Sequence, residues 1–359
     1  MQFAVYQMRL VLPILLLTAF SVAAQSGRVK PAESPTPKPK AGSSPVYVPT
    51  NNDRPRVATP TPTPTPPPKG DDGEITVDST LVPIPVTVID TSGRAVTNLK
   101  ISDFELKIDG KKAEISDLSR SETPIRLAML FDNSSSVMIA REFEKEAALK
   151  FFRRVIRPEK DLAALYSVST VTRLEQAFTA EISSLTRAIE MFPPPVGATA
   201  LLDGVIDAAN YLSGVPGRRV IVIVSDGDDT ASDSTLEDAV KSLQVANCQV
   251  YVVKTTDFEN YKRTGSRRGN ANIRQLAAER RMIEFANQTG GSVHSPVDET
   301  EVDEAFRQIT AALSQQYILS YYADDETEKR GAFREITLSV KDKPGLTVRT
   351  RKGYYVPKR

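Results

Sequence analysis

Val220-Ile221-Val222-Ile223-Val224 is an unbroken run of β-branched residues, and such a run has few stable homes. Successive strand residues face opposite sides, so both faces of this strand are apolar and both must be covered. That is the situation of a central strand in a parallel sheet flanked by helices. The surrounding chain has the matching alternation. Leu127 to Phe131 is a short apolar run of the same buried type. It precedes a helical pattern that starts near Val137 and carries Phe143, Ala147, Phe151 and Val155 at spacing four, with charges between them, until Pro158 stops it. Leu162 to Val168 and Val171 to Phe178 read as strands. Ile182 to Phe192 reads as a helix, and another runs through Val205, Ala208, Ala209 and Leu212. After the Val220–Val224 strand come a helix over Thr235 to Val245 and a strand over Gln249 to Lys254. Residues 257–272, polar and basic, read as an exposed loop. Ile273 to Ala286, Ser292 to His294 and Val302 to Leu313 complete the pattern as helix, strand and helix. Residues 123–313 are therefore predicted to form an α/β domain with a doubly wound, mostly parallel, Rossmann-like sheet.

On both sides of this unit the period returns to two. In residues 73–122, Ile75 to Asp78 is the first strand candidate. The segment from Leu81 to Ile89 contains Pro83 and Pro85, which cannot donate to a ladder and so predict a sheet edge. Phe104 to Ile108 alternates apolar and polar, and Asp109-Gly110 is a hairpin signal. In residues 314–359, Tyr317 to Tyr322, Phe333 to Val340 and Leu346 to Thr350 read as strands. Neither flank has enough strands to close a core alone. The simplest expectation is one Ig-like β-sandwich completed by both flanks, with the α/β domain inserted into it. Two separate small β modules are the alternative.

Residues 1–24 have the pattern of a signal peptide: Arg9, an apolar stretch from Leu10 to Ala24, and small residues before Gln25. The stretch is shorter than the roughly 20 residues that span a bilayer, so no stable membrane span is expected after cleavage. Export to the periplasm, the medium or the cell surface follows. Thirteen of the 25 prolines lie between Pro31 and Pro68, which makes residues 25–72 a disordered, proline-rich, semi-rigid linker. A formal charge of +1 gives no nucleic-acid surface. One cysteine, Cys248, permits no intrachain disulfide. One histidine, His294, excludes multi-histidine zinc sites and weakens Ser-His catalysis.

Asp132-x-Ser134-x-Ser136 follows the Leu127–Phe131 strand. In an extended loop these alternate side chains point the same way, so one carboxylate and two hydroxyls can converge. Oxygen-only donors suit a hard divalent cation. Asp and Ser are also ordinary turn and cap residues. Gly197-x-Thr199 stands where a helix begins, with an N-cap threonine as the plain alternative. Ser225-Asp226-Gly227-Asp228-Asp229 follows the central strand, which puts Asp226 at the crevice where open α/β sheets bind ligands. Asp228 and Asp229 can also be turn or capping residues.

These three stretches, in this order within an α/β pattern, resemble the von Willebrand factor type A family and the parts of its metal ion-dependent adhesion site. The flanks, including Phe104-Glu105-Leu106, Gln316 to Tyr322 and Arg351 to Tyr355, resemble a bacterial group of exported proteins called VWFA-related. The resemblance implies that Asp132, Ser134, Ser136, Thr199 and Asp226 hold Mg2+, with Mn2+ or Ca2+ as alternatives. It implies that Ser134 and Ser136 ligate directly, Thr199 directly in one state and through water in another, and Asp132 and Asp226 through water. The function implied is non-enzymatic: an extracytoplasmic adhesion module whose metal binds an Asp or Glu carboxylate of a partner protein. Unlike adhesion receptors of the family, this chain has no cysteine pair. Two further readings keep the fold. One is a cell-envelope assembly scaffold with a structural metal. The other is a metal-dependent hydrolase, for which no general base stands out.

Overall fold

The computed structural model describes residues 80–120, 122–135, 141–267, 272–323 and 329–356. The signal-peptide and linker segments, the Ile75–Asp78 strand candidate and Ser136 lie outside them. Residues Gly73–Arg359 form one compact unit.

The chain begins with β1 (Thr80–Ile89), β2 (Phe104–Ile108), β3 (Lys111–Ala113) and β4 (Asp117–Arg120), then enters the α/β domain. There β5 (Ile125–Asp132) leads to α1 (Arg141–Val155), β6 (Leu162–Val168), β7 (Arg173–Thr179), α2 (Ile182–Glu190) and α3 (Leu201–Leu212). The second half comprises β8 (Arg218–Ser225), α4 (Leu236–Val245), β9 (Cys248–Lys254), α5 (Thr256–Thr264), α6 (Ile273–Thr289), β10 (Ser292–His294) and α7 (Glu299–Ser314). The chain ends with β11 (Tyr317–Ala323), β12 (Phe333–Val340), β13 (Thr347–Thr350) and β14 (Gly353–Tyr355).

The α/β sheet has the order β10-β9-β8-β5-β6-β7, parallel except for the antiparallel β6–β7 pair. Each central strand feeds two cores. From β5, Leu127, Met129 and Phe131 point to one face with α1 and α7, while Ala128 and Leu130 point to the other with α3 and α4. The Val220–Val224 run splits the same way, with Val220, Val222 and Val224 on the first face and Ile221 and Ile223 on the second. This is the doubly wound arrangement expected from the all-apolar strand. Phe151 of α1 packs 5.1 Å from Phe306 of α7 between ring centroids; truncating such a buried Phe to Ala costs about 3–5 kcal/mol.

Two four-stranded antiparallel sheets come from the flanking segments, with orders β13-β1-β11-β4 and β14-β12-β2-β3. Ile84, Leu106, Leu319 and Ile336 lie in one apolar cluster drawn from both sheets and both ends of the chain.

Two sequence expectations are corrected here. β1 is not an edge strand, because it lies between β13 and β11. Its prolines fit because β11 pairs with Thr80–Val86 whereas β13 pairs only with Val86–Ile89. At Pro83 and Pro85 the strand is therefore locally an edge. The other correction is the basic loop at 257–272, whose first part is helix α5. Its charges are ordered for a helix, with Asp257 and Glu259 in the first turn and Lys262 and Arg263 in the last, each opposing the macrodipole. Phe258 holds it to the core by stacking on Phe143 at 5.6 Å.

The joint between the flanking sheets and the α/β domain relies on close backbone approach. Gly290 closes α6 at φ +78°, and a Cβ there would lie 2.5 Å from the carbonyl carbon of Thr350. Only glycine meets both demands. Arg218 and Gln316 continue the joint: Arg218 donates to Gln316, whose amide donates to Thr87 of β1 at 3.1 Å.

Candidate metal centre

Strands β6 and β8 lie on opposite sides of β5, so the direction of winding reverses between β5 and β8. The crevice at the carboxyl ends of these two strands is where such sheets bind ligands. Asp132 ends β5 there and Ser225 ends β8.

Asp132 is 1% exposed. Its Oδ1 accepts from the Ser134 amide at 2.9 Å and its Oδ2 from the Ser225 hydroxyl at 2.6 Å. Ser225 in turn accepts from the Gly227 amide at 3.0 Å, which sets the turn that carries Asp226. The Asp226 carboxylate accepts from the Asp228 amide at 2.9 Å, and its carbonyl accepts from the Thr256 hydroxyl at 3.0 Å. Ser134 is buried beside Asp132.

Thr199 is also buried. Its amide donates to the Thr230 hydroxyl at 3.1 Å, and its carbonyl accepts from the amides of Thr230 and Ala231 at 2.8 and 3.0 Å. Thr199 does not cap α3. That role belongs to Asp229, which accepts from the Leu201 and Leu202 amides at 2.8 and 3.3 Å. The Ser135 hydroxyl donates to the Gly197 carbonyl at 2.7 Å. The three loops that carry Asp132 and Ser134, Thr199, and Asp226 are thus joined to one another at one end of the sheet. Ser136 lies outside the described residues.

Two functional candidates escape the motif. Glu144 of α1 is 1% exposed, and neither of its carboxylate oxygens has a hydrogen-bond partner. Glu259 of α5 has one such buried oxygen. Burial, then the nearby charges of Glu259, Asp132 and Asp226, raise Glu144 well above the usual carboxylate range, with Arg141 opposing. Burial, then Asp226 and Asp132, push Glu259 up to about 8. Burial and then Asp226 push Asp132 up to about 6, against hydrogen bonds from Ser225 and Ser134. The sequence contained one sign of this. Glu144 heads the row Glu144, Ala148 and Phe152 at spacing four, whose other members are buried and apolar. Glu259 was hidden by reading its segment as a loop.

Arg141 supports the loop after β5. It donates to the Asn133 side chain and to the carbonyls of Phe192 at 3.2 Å and Pro193 at 2.6 Å. His294 stands apart from this site on β10, where burial and Arg349 push it down to about 4.

The donor set fits a hard divalent cation. A buried carboxyl without partners is costly, and Glu144, with both oxygens unpartnered, and Glu259, with one, lie within electrostatic reach of Asp132 and Asp226. Among the described residues, no three Asp, Glu, His or Cys side chains form a group able to hold a metal. A cation at Asp132 and Asp226 would therefore depend on hydroxyl donors, and Ser134 and Thr199 are at hand. Among the described residues, no helix is long and apolar enough to cross a membrane.

The fold is a doubly wound α/β domain with its crevice at the carboxyl ends of β5 and β8. Residues 127–299 match the von Willebrand factor type A domain family, and the chain carries such a domain there. Among solved structures, an aerotolerance-related membrane protein from Bacteroides fragilis is 18% identical, with a TM-score of 0.38 over 52% of this chain and 98% of that one. The PilB minor pilin from Streptococcus sanguinis is 13% identical, with a TM-score of 0.40 over 56% of this chain and 63% of that one. Proximal thread matrix protein 1 from the mussel byssus is 14% identical, with a TM-score of 0.43 over 58% of this chain and 50% of that one. This chain thus spans less than two thirds of the pilin and the byssus protein. No curated protein sequence matches it.

Proposed function

We propose that this is an exported, non-enzymatic protein-binding module, in which Asp132, Ser134, Ser136, Thr199 and Asp226 hold Mg2+ at the β5–β8 crevice. The observation that carries this reading is the surplus of buried carboxyl groups around Asp132 beside buried hydroxyls. Mg2+ bound mainly by neutral oxygens keeps exchangeable water and so offers a position to an Asp or Glu carboxylate of a partner protein. Apolar side chains stand exposed on loops and helix ends around the crevice, Val196 next to the Asn133 loop and Ile273 beside the Asp228–Arg274 ion pair. Residues 25–72 would serve as a spacer between the folded unit and the point of attachment or release.

The test is calorimetric titration of Mg2+ into the full chain and into Asp132→Ala, followed by Mg2+-dependent capture of extracytoplasmic proteins. Saturable one-site binding that the variant loses, with capture that chelator abolishes, is the expected result. Unchanged Mg2+ binding by Asp132→Ala would overturn the assignment. A structural role for the same metal is favoured by the loop-to-loop hydrogen bonds, since a cation there would pin all three loops. In that case chelation lowers the melting temperature while capture persists.

A further inference from the structure

At the opposite end of the α/β sheet from Asp132, a cavity of about 310 Å³ lies between β1, the leading ends of β8 and β9, and the C-terminal segment. Arg218, Arg219 and Arg351 line it with Tyr354 and Tyr355, and its lining contains no Asp or Glu. Their hydrogen bonds do not neutralise them. Arg218, 8% exposed, donates to the Leu313 carbonyl at 2.8 Å and to the Gln316 side-chain oxygen at 2.5 Å. Arg219 donates to the carbonyls of Val215 at 2.9 Å and Ala246 at 2.7 Å. Arg351 donates to the Pro83 carbonyl at 2.9 Å and to the Asn247 side chain, with its guanidinium 5.5 Å from the Tyr354 ring centre. Every acceptor is neutral.

Two donors are left over. The Nε atoms of Arg218 and Arg351 are buried with no acceptor, an arrangement that native interiors rarely leave uncompensated. Burial pushes Arg351 down to about 10 and also lowers Arg218, a desolvation cost that a bound anion would offset. Guanidinium forks match the spacing of carboxylate and phosphate oxygens. The volume lies at the lower end of the range for small-ligand pockets.

The geometry points to a binding site for a small oxyanion, a phosphate or carboxylate group, held by Arg218, Arg219 and Arg351 at the joint between the flanking sheets and the α/β domain. The bound group would supply the missing charge and acceptors, and would tie β1 and the C-terminal segment to β8. This site is independent of the metal centre, and its ligand does not depend on the proposed function.

The test is titration of inorganic phosphate, and separately of malonate, into the full chain in chloride buffer of matched ionic strength. Calorimetry and the melting temperature are the readouts, on wild type, Arg351→Gln and Arg219→Gln. Saturable binding of at least one anion is expected, with a melting temperature above that of the chloride control. Each folded variant should bind at least about tenfold more weakly, equivalent to about 1.4 kcal/mol. Binding of phosphate alone would assign a phosphate group, and binding of malonate alone a carboxylate. If Arg351→Gln fails to fold, Arg219→Gln decides. No saturable heat with either anion, or binding unchanged in the folded variants, would overturn the proposal.

Discussion

Removing the metal should make this protein less stable as the pH rises, with Glu259 providing a measurable share. Its carboxyl rises from 4.5 to about 8 through burial and the charges of Asp226 and Asp132. Between those values the native state without cation holds a proton that the unfolded chain has released. Stability therefore falls as pH rises through that window. Going from 4.5 to about 8 corresponds to roughly 5 kcal/mol, at about 1.4 kcal/mol for each tenfold change in proton affinity. Glu259 is only partly buried, so half of that, about 2.5 kcal/mol, is the better expectation. At about 2 °C per kcal/mol for a unit this large, its share is a fall of about 5 °C. Asp132 adds to the lower part of the same window, from 3.8 to about 6. The assay is thermal unfolding of chelated protein between about pH 5 and pH 8, for wild type and Glu259→Gln, repeated with excess Mg2+. The wild type in chelator should lose stability across the range, the variant should lose less, and Mg2+ should flatten both curves. A chelated wild type with a flat or rising curve would refute the reasoning, and so would a Glu259→Gln curve of unchanged slope.

Four further outcomes follow from the same geometry. Mg2+ binding near pH 6 should release protons, because Asp132 sits at about 6 without metal and must ionise to balance a cation; calorimetry in buffers of different ionisation heat measures this. Glu144→Gln removes a carboxyl that burial keeps protonated in the native state but that the unfolded chain ionises, and should stabilise the chelated protein near neutral pH, read from its urea midpoint. Asp229→Ala deletes the cap of α3 and should cost about 1 kcal/mol, with weaker Mg2+ binding because the Thr199 loop loses an anchor. Gly290→Ala puts a Cβ against the Thr350 backbone at positive φ and should cost upwards of about 2 kcal/mol, seen as a lower melting temperature.

Most of the α/β framework was legible because its signals are local. The Val220–Val224 run states its own burial, and Phe143, Ala147, Phe151 and Val155 mark a helix face without help from distant residues. The flanks were legible as strands but not in their order. What makes Pro83 and Pro85 tolerable within β1 is the length of β13, which stops its pairing at Val86, and no stretch near the prolines encodes that. Helix α5 was missed because only Phe258 of its residues is fully buried, so hydrophobic period had almost nothing to report. The order of its charges was the remaining signal.

The candidate site divides along the same line. Asp132, Ser134, Thr199 and Asp226 announce themselves by spacing and by following strands. Glu144 and Glu259 do not, since each belongs to a helix and meets the crevice only through tertiary packing. Yet these two glutamates are why we propose a cation there. A turn of ordinary Asp and Ser residues would leave its carboxylates to solvent, whereas this one lies beside a carboxyl group that is buried on α1 and has no partner. A helix residue that pays such a desolvation cost without a hydrogen bond points to a charge of opposite sign nearby. The same reasoning applies, with sign reversed, to the three arginines at the other end of the sheet. Each end of the domain gathers like charges, acidic where the strands finish and basic where they begin. The proposed cation at one end and the proposed anion at the other would each offset one of these gatherings.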